Sequence, residues 1–341
     1  MSETEVSVDA QMLASVRHFF ETECTVDLLR GLYDGRHVSV DALWNQIASM
    51  GLPGAMSAED EGGLGFGLRD GVLLAQEAGR VLLPVPLSEL MAVLPFLHSD
   101  LSDHSSALKD QLDDWQSGRS WLACATVLSA DHWLVEYAHH DRVAFATAWS
   151  DSILTLGTFV PTLMSAGMDG SMPTARADRS VELLHVTRLQ CTEERWKRLQ
   201  AQRHLLRLAE LLGVADRALE HAVAYASERV QFGRAIGSNQ AIKHRLAEHW
   251  MMADNARLSI HHAAALYDNE DDVELAIQYA HILTIDAARS ISRHAVQVFG
   301  AMGITWECDI HLFLKRTQYF CALLERDLPT EAVLEKIWAQ A

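Results

Sequence analysis

Residues 228–240 read Glu-Arg-Val-Gln-Phe-Gly-Arg-Ala-Ile-Gly-Ser-Asn-Gln and separate two stretches of helical periodicity. Apolar residues recur at steps of three and four before this segment, at Leu205, Leu208, Leu212, Ala215, Leu219, Val223 and Ala226, and after it, at Ile242, Leu246, Ala253 and Ala256. This spacing predicts one helix on each side. Arg229 at the connection carries a planar guanidinium suited to a phosphate or a carboxylate. On spacing alone, a surface arginine between two helices is the simpler interpretation.

A second segment, residues 294–307, reads His-Ala-Val-Gln-Val-Phe-Gly-Ala-Met-Gly-Ile-Thr-Trp-Glu. It follows another apolar stripe of helical period, formed by Val273, Ala276, Ala280, Leu283, Ala287, Ile291 and Val298. Gly300 and Gly303 interrupt this pattern, because glycine is unfavourable inside a helix. The sequence therefore predicts that a helix ends just before Gly300.

Together, Arg-x-Gln-Phe-Gly…Gln at 229–240 and Gln-x-x-Gly-x-x-Gly-x-Thr-x-Glu at 297–307 resemble the C-terminal domain of the acyl-CoA dehydrogenase family. Residues 59–65 and 76–86 resemble its helical N-terminal domain, whereas the middle of the chain is less similar. The resemblance implies an α+β fold that is mostly α. We expect a helical N-terminal domain over residues 1–117, a small truncated β domain over 118–191 and a C-terminal four-helix bundle over 192–341.

Periodicity along the chain supports the same division. It predicts three short helices in residues 2–50, helices over 68–83 and 88–101, and four longer helices from residue 192 onward, the last capped by Asp309. Between them, short β-rich runs bounded by turn residues predict strands. These runs are Trp121–Val127, His132–Tyr137, Arg142–Thr147, Ser152–Leu156 and Val181–Val186.

Composition excludes several classes of function. A net charge of -18 at pH 7 over 341 residues opposes a nucleic-acid groove, which needs clustered lysine and arginine. The five cysteines form no C-x-x-C pair, and the 17 histidines show no zinc-helix spacing, so we predict no metal site. No stretch approaches the roughly twenty apolar residues that span a bilayer. These features favour a cytoplasmic protein.

The family resemblance implies FAD as cofactor and assigns residues to it. In this family the matching residues reach across an interface to the FAD of a neighbouring subunit. Arg229 is expected at the pyrophosphate, Gln231 and Phe232 along the adenosine side, and Gln297 with the Gly300 backbone on the other side. The full expected set is Arg229, Gln231, Phe232, Ile236, Asn239, Gln240, Gln297, Gly300 and Ala301. Ala301 stands where the family has a second glycine, which restricts close backbone approach there.

The catalytic machinery of the family has no clear counterpart in this sequence. The family carries its catalytic carboxylate at one of two positions, which fall on Arg203 and Leu324 when counted without gaps. Glu325 is one residue further on, and one residue turns a helical side chain by about 100°. The motifs that hold the isoalloxazine ring are also missing from the predicted β domain. We therefore assign no catalytic residue, with Glu325 as the one candidate.

The sequence thus keeps the residues that reach a neighbour's FAD but lacks the catalytic carboxylate and the motifs that hold the flavin ring. This combination predicts a subunit that completes a partner's cofactor site. The run at 303–316 resembles the short subunit of heteromeric, α2β2-type dehydrogenases of bacterial steroid breakdown. The resemblance implies a longer homologous subunit, an acyl-CoA substrate and electron-transfer flavoprotein as acceptor. Two alternatives stay open: a self-sufficient homo-oligomeric enzyme that uses Glu325 as base, and a helical scaffold without catalytic function.

Overall fold

A computed structural model shows the architecture of the chain. It describes residues 8, 10–36, 39–98, 106–120, 123–127, 129, 131–138, 144–160, 163–165, 167–178 and 180–340. The chain divides into two compact units. One contains the chain up to residue 71 together with residues 83–203, and the other contains residues 72–82 together with the chain from residue 204 onward.

The N-terminal third is helical, as predicted. Its helices are α1 Ala10–Glu23, α2 Val26–Tyr33, α3 Asp41–Ser49, α4 Leu68–Arg80, α5 Leu87–His98 and α6 Ser106–Gln116. The helix predicted over 68–83 ends earlier, at Arg80, because Leu82 adopts a left-handed backbone conformation with φ +54°. Helix α6 was not predicted, because most of its residues are polar.

A seven-stranded sheet follows, with strands β1 Ala123–Val127, β2 His132–Glu136, β3 Ala144–Ser150, β4 Ile153–Phe159, β5 Leu163–Ser165, β6 Thr174–Asp178 and β7 His185–Gln190. Their order is β5-β6-β2-β1-β3-β4-β7, and only the β1–β3 pair is parallel among the described strands. Small residues such as Ala123, Ala144 and Ala175 pack with Phe159 in its core.

The strand predicted at Val181–Val186 is wrong by about four residues. Asp178 Oδ1 accepts hydrogen bonds from Ser180 N at 2.7 Å and from Ser180 Oγ at 2.6 Å, which forms a turn. The chain therefore reaches β4 at Leu184, whose N–H donates to the Thr158 carbonyl at 2.7 Å, and β7 begins at His185, paired with Thr158. Strands β5 and β6 were not predicted. Trp121, Leu122, Arg142 and Val143, which began two predicted strands, lie outside the described residues.

The C-terminal part forms the predicted bundle. Its helices are α7 Glu193–Glu228, α8 Gln240–Asp268, α9 Glu274–Phe299 and α10 Ile310–Asp327, and an unpredicted helix, α11 Thr330–Gln340, follows them. Helices α8 and α9 pack against each other, and alanines such as Ala253, Ala256 and Ala287 are buried in the bundle.

Two glycines set the crossing of α4 and α7. A β-carbon on Gly79 would lie 1.9 Å from the carbonyl oxygen of Glu210, and one on Gly213 would lie 2.0 Å from that of Gln76. Each glycine thus faces the backbone of the other helix. Any larger side chain at either position must push the two helices apart.

Three details of the bundle differ from prediction. Val223 and Leu283, which were assigned to buried stripes, are 44% and 37% exposed. Periodicity places a residue on a helix face, but it does not show where the neighbouring helix stops covering that face. Asp309 occupies the N-cap position of α10 without a side-chain cap hydrogen bond. No described helix is both long and apolar enough to cross a membrane.

Candidate functional site

The segment between α7 and α8 folds into a tight β-hairpin. Its strands, β8 Val230–Gln231 and β9 Arg234–Ala235, pair antiparallel. Phe232 and Gly233 form the turn, and both have positive φ, +53° and +80°. This is the geometry of a two-residue type I′ turn, which asparagine or glycine usually occupies. The left-handed conformation costs an ordinary residue about 1–2 kcal/mol.

The hairpin presents the Phe232 ring entirely to solvent, with a relative accessibility of 102%. The ring therefore gains no stabilising free energy from burial within this chain that would offset the strain of the Phe232 backbone. Strained residues of this kind concentrate at functional sites, where the surrounding structure holds them in place. An exposed aromatic ring in a strained turn indicates contact with a molecule outside the chain.

Arg229 lies at the base of the hairpin with its backbone fixed on both sides. Its N–H donates to the Tyr225 carbonyl at 2.9 Å, and its carbonyl accepts from Ile236 N at 2.8 Å. The side chain is exposed and makes no hydrogen bond or ion pair with the described part of the chain. Its guanidinium donors are thus free to bind an external anion.

The second arginine of the hairpin is bound within the chain. Arg234 Nη2 donates to Asn239 Oδ1 at 2.6 Å, and Asn239 Nδ2 donates to the Ile236 carbonyl at 3.0 Å. These bonds tie the hairpin to the start of α8. Asn239 and Ile236 are half-buried, whereas Gln231 and Gln240 are exposed.

The second predicted segment is the 3₁₀ turn Gly300–Ile304 that follows α9. Gly300 has φ +65° and ψ −142°, a conformation that is open essentially to glycine alone. A β-carbon there would meet nothing within 4 Å, so the space above this backbone is open. Ala301 has no positive φ, and alanine therefore fits at this position. Gln297, one turn earlier, is exposed.

An aromatic stack brings the two segments together. Tyr225 lies one turn before Arg229, and Phe299 directly precedes Gly300. Their ring centroids are 4.2 Å apart with planes inclined by 17°. All nine predicted cofactor residues thus lie in two segments at one end of the bundle. Tyr225 was not predicted to have a role, although an aromatic residue one turn before Arg229 was a usable signal.

The two positions at which we expected the family's catalytic carboxylate, Arg203 and Leu324, carry no carboxylate. Arg203 Nε lies 2.6 Å from Glu89 Oε1, and both side chains are largely buried. Leu324 is buried and apolar. An arginine or a leucine cannot accept a proton from a substrate carbon at neutral pH.

Glu325 is bound by a partner that the sequence did not reveal. Arg289 Nη1 donates to its Oε1 at 2.8 Å, Nη2 pairs with Oε2, and Thr330 Oγ1 donates to Oε1 at 3.1 Å. Hydrogen bonding to Arg289 lowers the pKa of this carboxyl group. A carboxylate whose two oxygens are both occupied and whose pKa is lowered is a weak general base.

Comparisons with known proteins identify the family of the chain. Residues 196–322 match the family model described as acyl-CoA dehydrogenase, C-terminal domain. Residues 8–99 match the model described as acyl-CoA dehydrogenase, N-terminal domain. The two matched segments together span more than half of the chain.

Two curated relatives come from Mycobacterium tuberculosis. The acyl-CoA dehydrogenase IpdE2 is 31% identical over 287 residues, which cover 84% of this chain and 83% of IpdE2. The acyl-CoA dehydrogenase FadE34 is 30% identical over 309 residues, 86% of this chain. The match spans only 42% of FadE34, so this chain corresponds to less than half of that protein.

Two solved structures share the fold. A variant of the Tcur3481–Tcur3483 steroid ACAD has a TM-score of 0.79 at 19% identity, with 96% of each chain covered. The ChsE4–ChsE5 complex from Mycobacterium tuberculosis has a TM-score of 0.77 at 22% identity, with 99% of this chain and 98% of that chain covered.

Proposed function

Because the chain belongs to the acyl-CoA dehydrogenase family, we propose that it is the short subunit of a heteromeric FAD-dependent enzyme of that family. In this proposal the hairpin and the Gly300 turn complete the FAD site of a longer homologous subunit. The observation that carries it is the exposed pair Arg229 and Phe232. The backbone of Arg229 is held by hydrogen bonds on both sides, whereas its side chain makes no hydrogen bond or ion pair with the described residues, and the Phe232 ring is fully exposed.

The residues present fit one part of such a cofactor. The Arg229 guanidinium suits a pyrophosphate, since it offers two parallel donors to phosphate oxygens. The Phe232 ring offers an apolar face to a flat heterocycle. Gly300 leaves open space in which a ligand can approach the backbone. Bound FAD supplies the hydride acceptor, and this chain's residues hold its phosphate and adenosine portion from outside.

We also propose that the proton-abstracting base belongs to the partner subunit. The ion pair at Arg203 and the double hydrogen bond at Glu325 leave neither position with a free carboxylate. Resemblance of residues 303–316 to steroid-degrading short subunits supports a steroid-derived acyl-CoA as substrate. The fold likeness to a steroid ACAD agrees with it. We further propose that the enzyme is located in the cytoplasm and passes its electrons to electron-transfer flavoprotein.

The decisive experiment compares the two arginines of the hairpin in the complex with the longer subunit. Arg229→Ala should weaken FAD binding roughly ten- to a hundredfold, because hydrogen bonds to charged groups contribute about 1.5–3 kcal/mol. Arg229→Lys should restore only part of this loss. Arg234→Ala is the comparison: it removes the bond to Asn239 that ties the hairpin to α8, and it should weaken FAD binding less than Arg229→Ala does.

The measurement is a flavin titration of each reconstituted complex, with gel filtration to confirm that the subunits still associate. The chain purified alone should bind little FAD, and the complex should hold one FAD per heterodimer. Wild-type affinity in the Arg229→Ala complex would favour the scaffold alternative. Yellow, active protein from the chain alone would favour the self-sufficient enzyme.

A further inference from the structure

Arg234 follows the turn of the hairpin directly, and its side chain binds the residue that precedes α8. In the hairpin it pairs with Gln231 on the opposite strand. Its Nη2 donates to Asn239 Oδ1 at 2.6 Å, a short distance for a hydrogen bond with a charged donor. The contact closes a loop that contains β9 and the 3₁₀ turn Ile236–Ser238. We call this pair the Arg234–Asn239 latch.

The Asn239 side chain serves the latch with both of its polar atoms. Its Oδ1 accepts from Arg234, and its Nδ2 donates to the Ile236 carbonyl at 3.0 Å. Asn239 is also the N-cap residue of α8, where an asparagine side chain usually accepts a hydrogen bond from the first turn of the helix. It makes no such bond here. The asparagine therefore holds the hairpin instead of capping the helix.

The hairpin needs support of this kind because it is short and strained. Each of its strands has two residues, and an isolated two-stranded hairpin is at best marginally stable in water. Phe232 adds strain, since its φ of +53° is unfavourable for a residue with a side chain. Its exposed ring provides no burial in return. Side-chain hydrogen bonding at β9 is thus the remaining means of keeping the tip closed before a ligand binds.

The base of the hairpin is held by contacts that do not involve the latch. Ile236 N donates to the Arg229 carbonyl at 2.8 Å. A β-carbon on Gly237 would lie 2.9 Å from the Ala226 carbonyl oxygen, so the 3₁₀ turn packs closely on the end of α7. These contacts hold Arg229, whereas the latch acts on β9 beside the turn. Loss of the latch should therefore open the tip that carries Phe232 and leave the helices folded.

We propose that Arg234 and Asn239 are positioning residues, whose side-chain pair holds the Phe232 ring in the place where it meets the cofactor. Ordering the tip in advance removes the cost of ordering it at the moment of binding. In this proposal Asn239, which the family resemblance assigns to the cofactor, influences FAD affinity only through Arg234. The inference rests on the proposed function, because it takes FAD as the ligand of the hairpin.

The positive charge of Arg234 has to be separated from its hydrogen bond, since any cation near a pyrophosphate attracts it. Lys243 is an exposed cation near the start of α8, and its side chain makes no hydrogen bond or ion pair with the described part of the chain. Lys243→Ala therefore removes one charge from the same end of the bundle without touching the latch. It is the matched control for Arg234→Ala.

The first measurement is amide hydrogen exchange of the full chain, without the longer subunit and without FAD. Arg234 is exposed, so water competes for its donors and the latch should count as one ordinary hydrogen bond. Such a bond shifts a local equilibrium about fivefold. Arg234→Ala should therefore speed exchange in β8 and β9 about fivefold, with α7 and α8 unchanged. Arg234→Lys should recover most of the protection, because an ammonium group can also donate to Asn239 Oδ1.

The second measurement is the FAD affinity of the complex with the longer subunit, obtained by flavin titration. Arg234→Ala, Asn239→Ala and the double variant should each weaken binding about fivefold, because all three open the same latch. In a Phe232→Ala background, Arg234→Ala should change the affinity less than about twofold, since the ring that the latch positions is already gone. Circular dichroism checks that each variant is folded.

Several outcomes would overturn the proposal. If the double variant shows the product of the two single effects, Asn239 contacts FAD itself. Unchanged exchange in Arg234→Ala would show that the latch does not hold the hairpin, and an equal loss of affinity in Lys243→Ala would assign the effect to charge. The exchange measurement involves no FAD, so it decides the latch separately from the proposed function. Faster exchange in Arg234→Ala, together with wild-type FAD affinity in Arg229→Ala, would support the latch and refute the proposed function.

Discussion

The ring of Tyr225 stacks on that of Phe299 with centroids 4.2 Å apart, and this contact joins the two segments that the family resemblance assigns to the cofactor. Tyr225 lies in the last turn of α7, near the hairpin, and Phe299 is the last residue of α9, just before Gly300. The stack therefore fixes the distance between Arg229 and the Gly300 backbone. The two rings can therefore influence FAD affinity through the position of the hairpin, without touching the cofactor themselves.

Removing the stack should loosen the hairpin without unfolding the bundle. Aromatic pairs contribute about 0.5–1.5 kcal/mol beyond the area they bury. We expect Tyr225→Ala to speed amide hydrogen exchange in residues 229–236 and to weaken FAD binding by the complex several-fold. Tyr225→Phe keeps the ring and serves as the control. Unchanged exchange rates in Tyr225→Ala would show that the hairpin is held without the stack.

The sequence predicted the helices that carry the site but not the contacts that shape it. Periodicity identified α7, α8 and α9, because their buried stripes extend over many turns. The hairpin turn was not predictable from local rules, since Phe-Gly lacks the asparagine or aspartate typical of a type I′ turn. The Glu325–Arg289 pair joins residues on different helices, and no local pattern reports such a partner.

Stability of the bundle should depend on the two glycines at the crossing of α4 and α7. Gly213→Ala gains about 1 kcal/mol of helix propensity. It also places a β-carbon 2.0 Å from the Gln76 carbonyl oxygen, and overpacking of this kind costs about 1–3 kcal/mol. We expect a net loss in the free energy of unfolding, measured by urea denaturation.

Gly79→Ala tests the same crossing from the other helix. Because one outward shift of α4 relieves both clashes, the double variant should lose less stability than the sum of the two single variants. A single variant as stable as the wild type would show that the crossing accommodates a methyl group without cost.

Because of two neighbouring histidines, we expect the free energy of unfolding to decrease in acid. His204 Nε2 lies 3.1 Å from His281 Nδ1, and His281 is fully buried. Burial lowers the pKa of His204 to about 3 and that of His281 to about 4. In the unfolded chain both titrate near their ordinary pKa of about 6.5. The unfolded state therefore binds more protons as the pH falls, and stability decreases with it.

This loss should begin near pH 6.5 and continue to about pH 4, at up to about 1.4 kcal/mol per pH unit for each histidine. Urea denaturation at a series of pH values measures the slope. His281→Gln should flatten it, whereas the exposed control His262→Gln should leave it unchanged. An equally steep slope in His281→Gln would assign the acid sensitivity to other groups.

The last prediction concerns Glu325, the one candidate base of this chain. Glu325→Gln keeps the shape of the side chain and removes its ability to take up a proton. If the base lies in the longer subunit, turnover of the complex should stay nearly unchanged, whereas loss of a true general base lowers the rate by about 10²–10⁴. The broken pair with Arg289 is partly exposed and should cost at most about 1 kcal/mol of stability.

Turnover is measured together with FAD content, so that a loss of cofactor is not mistaken for a loss of chemistry. Glu335→Gln on α11 is the control, because Glu335 is an exposed glutamate on a neighbouring helix. A collapse of turnover at normal FAD content in Glu325→Gln alone would identify Glu325 as the base despite its pairing with Arg289. Equal turnover in both variants would leave the longer subunit as the source of the proton acceptor, since Arg203 and Leu324 cannot serve.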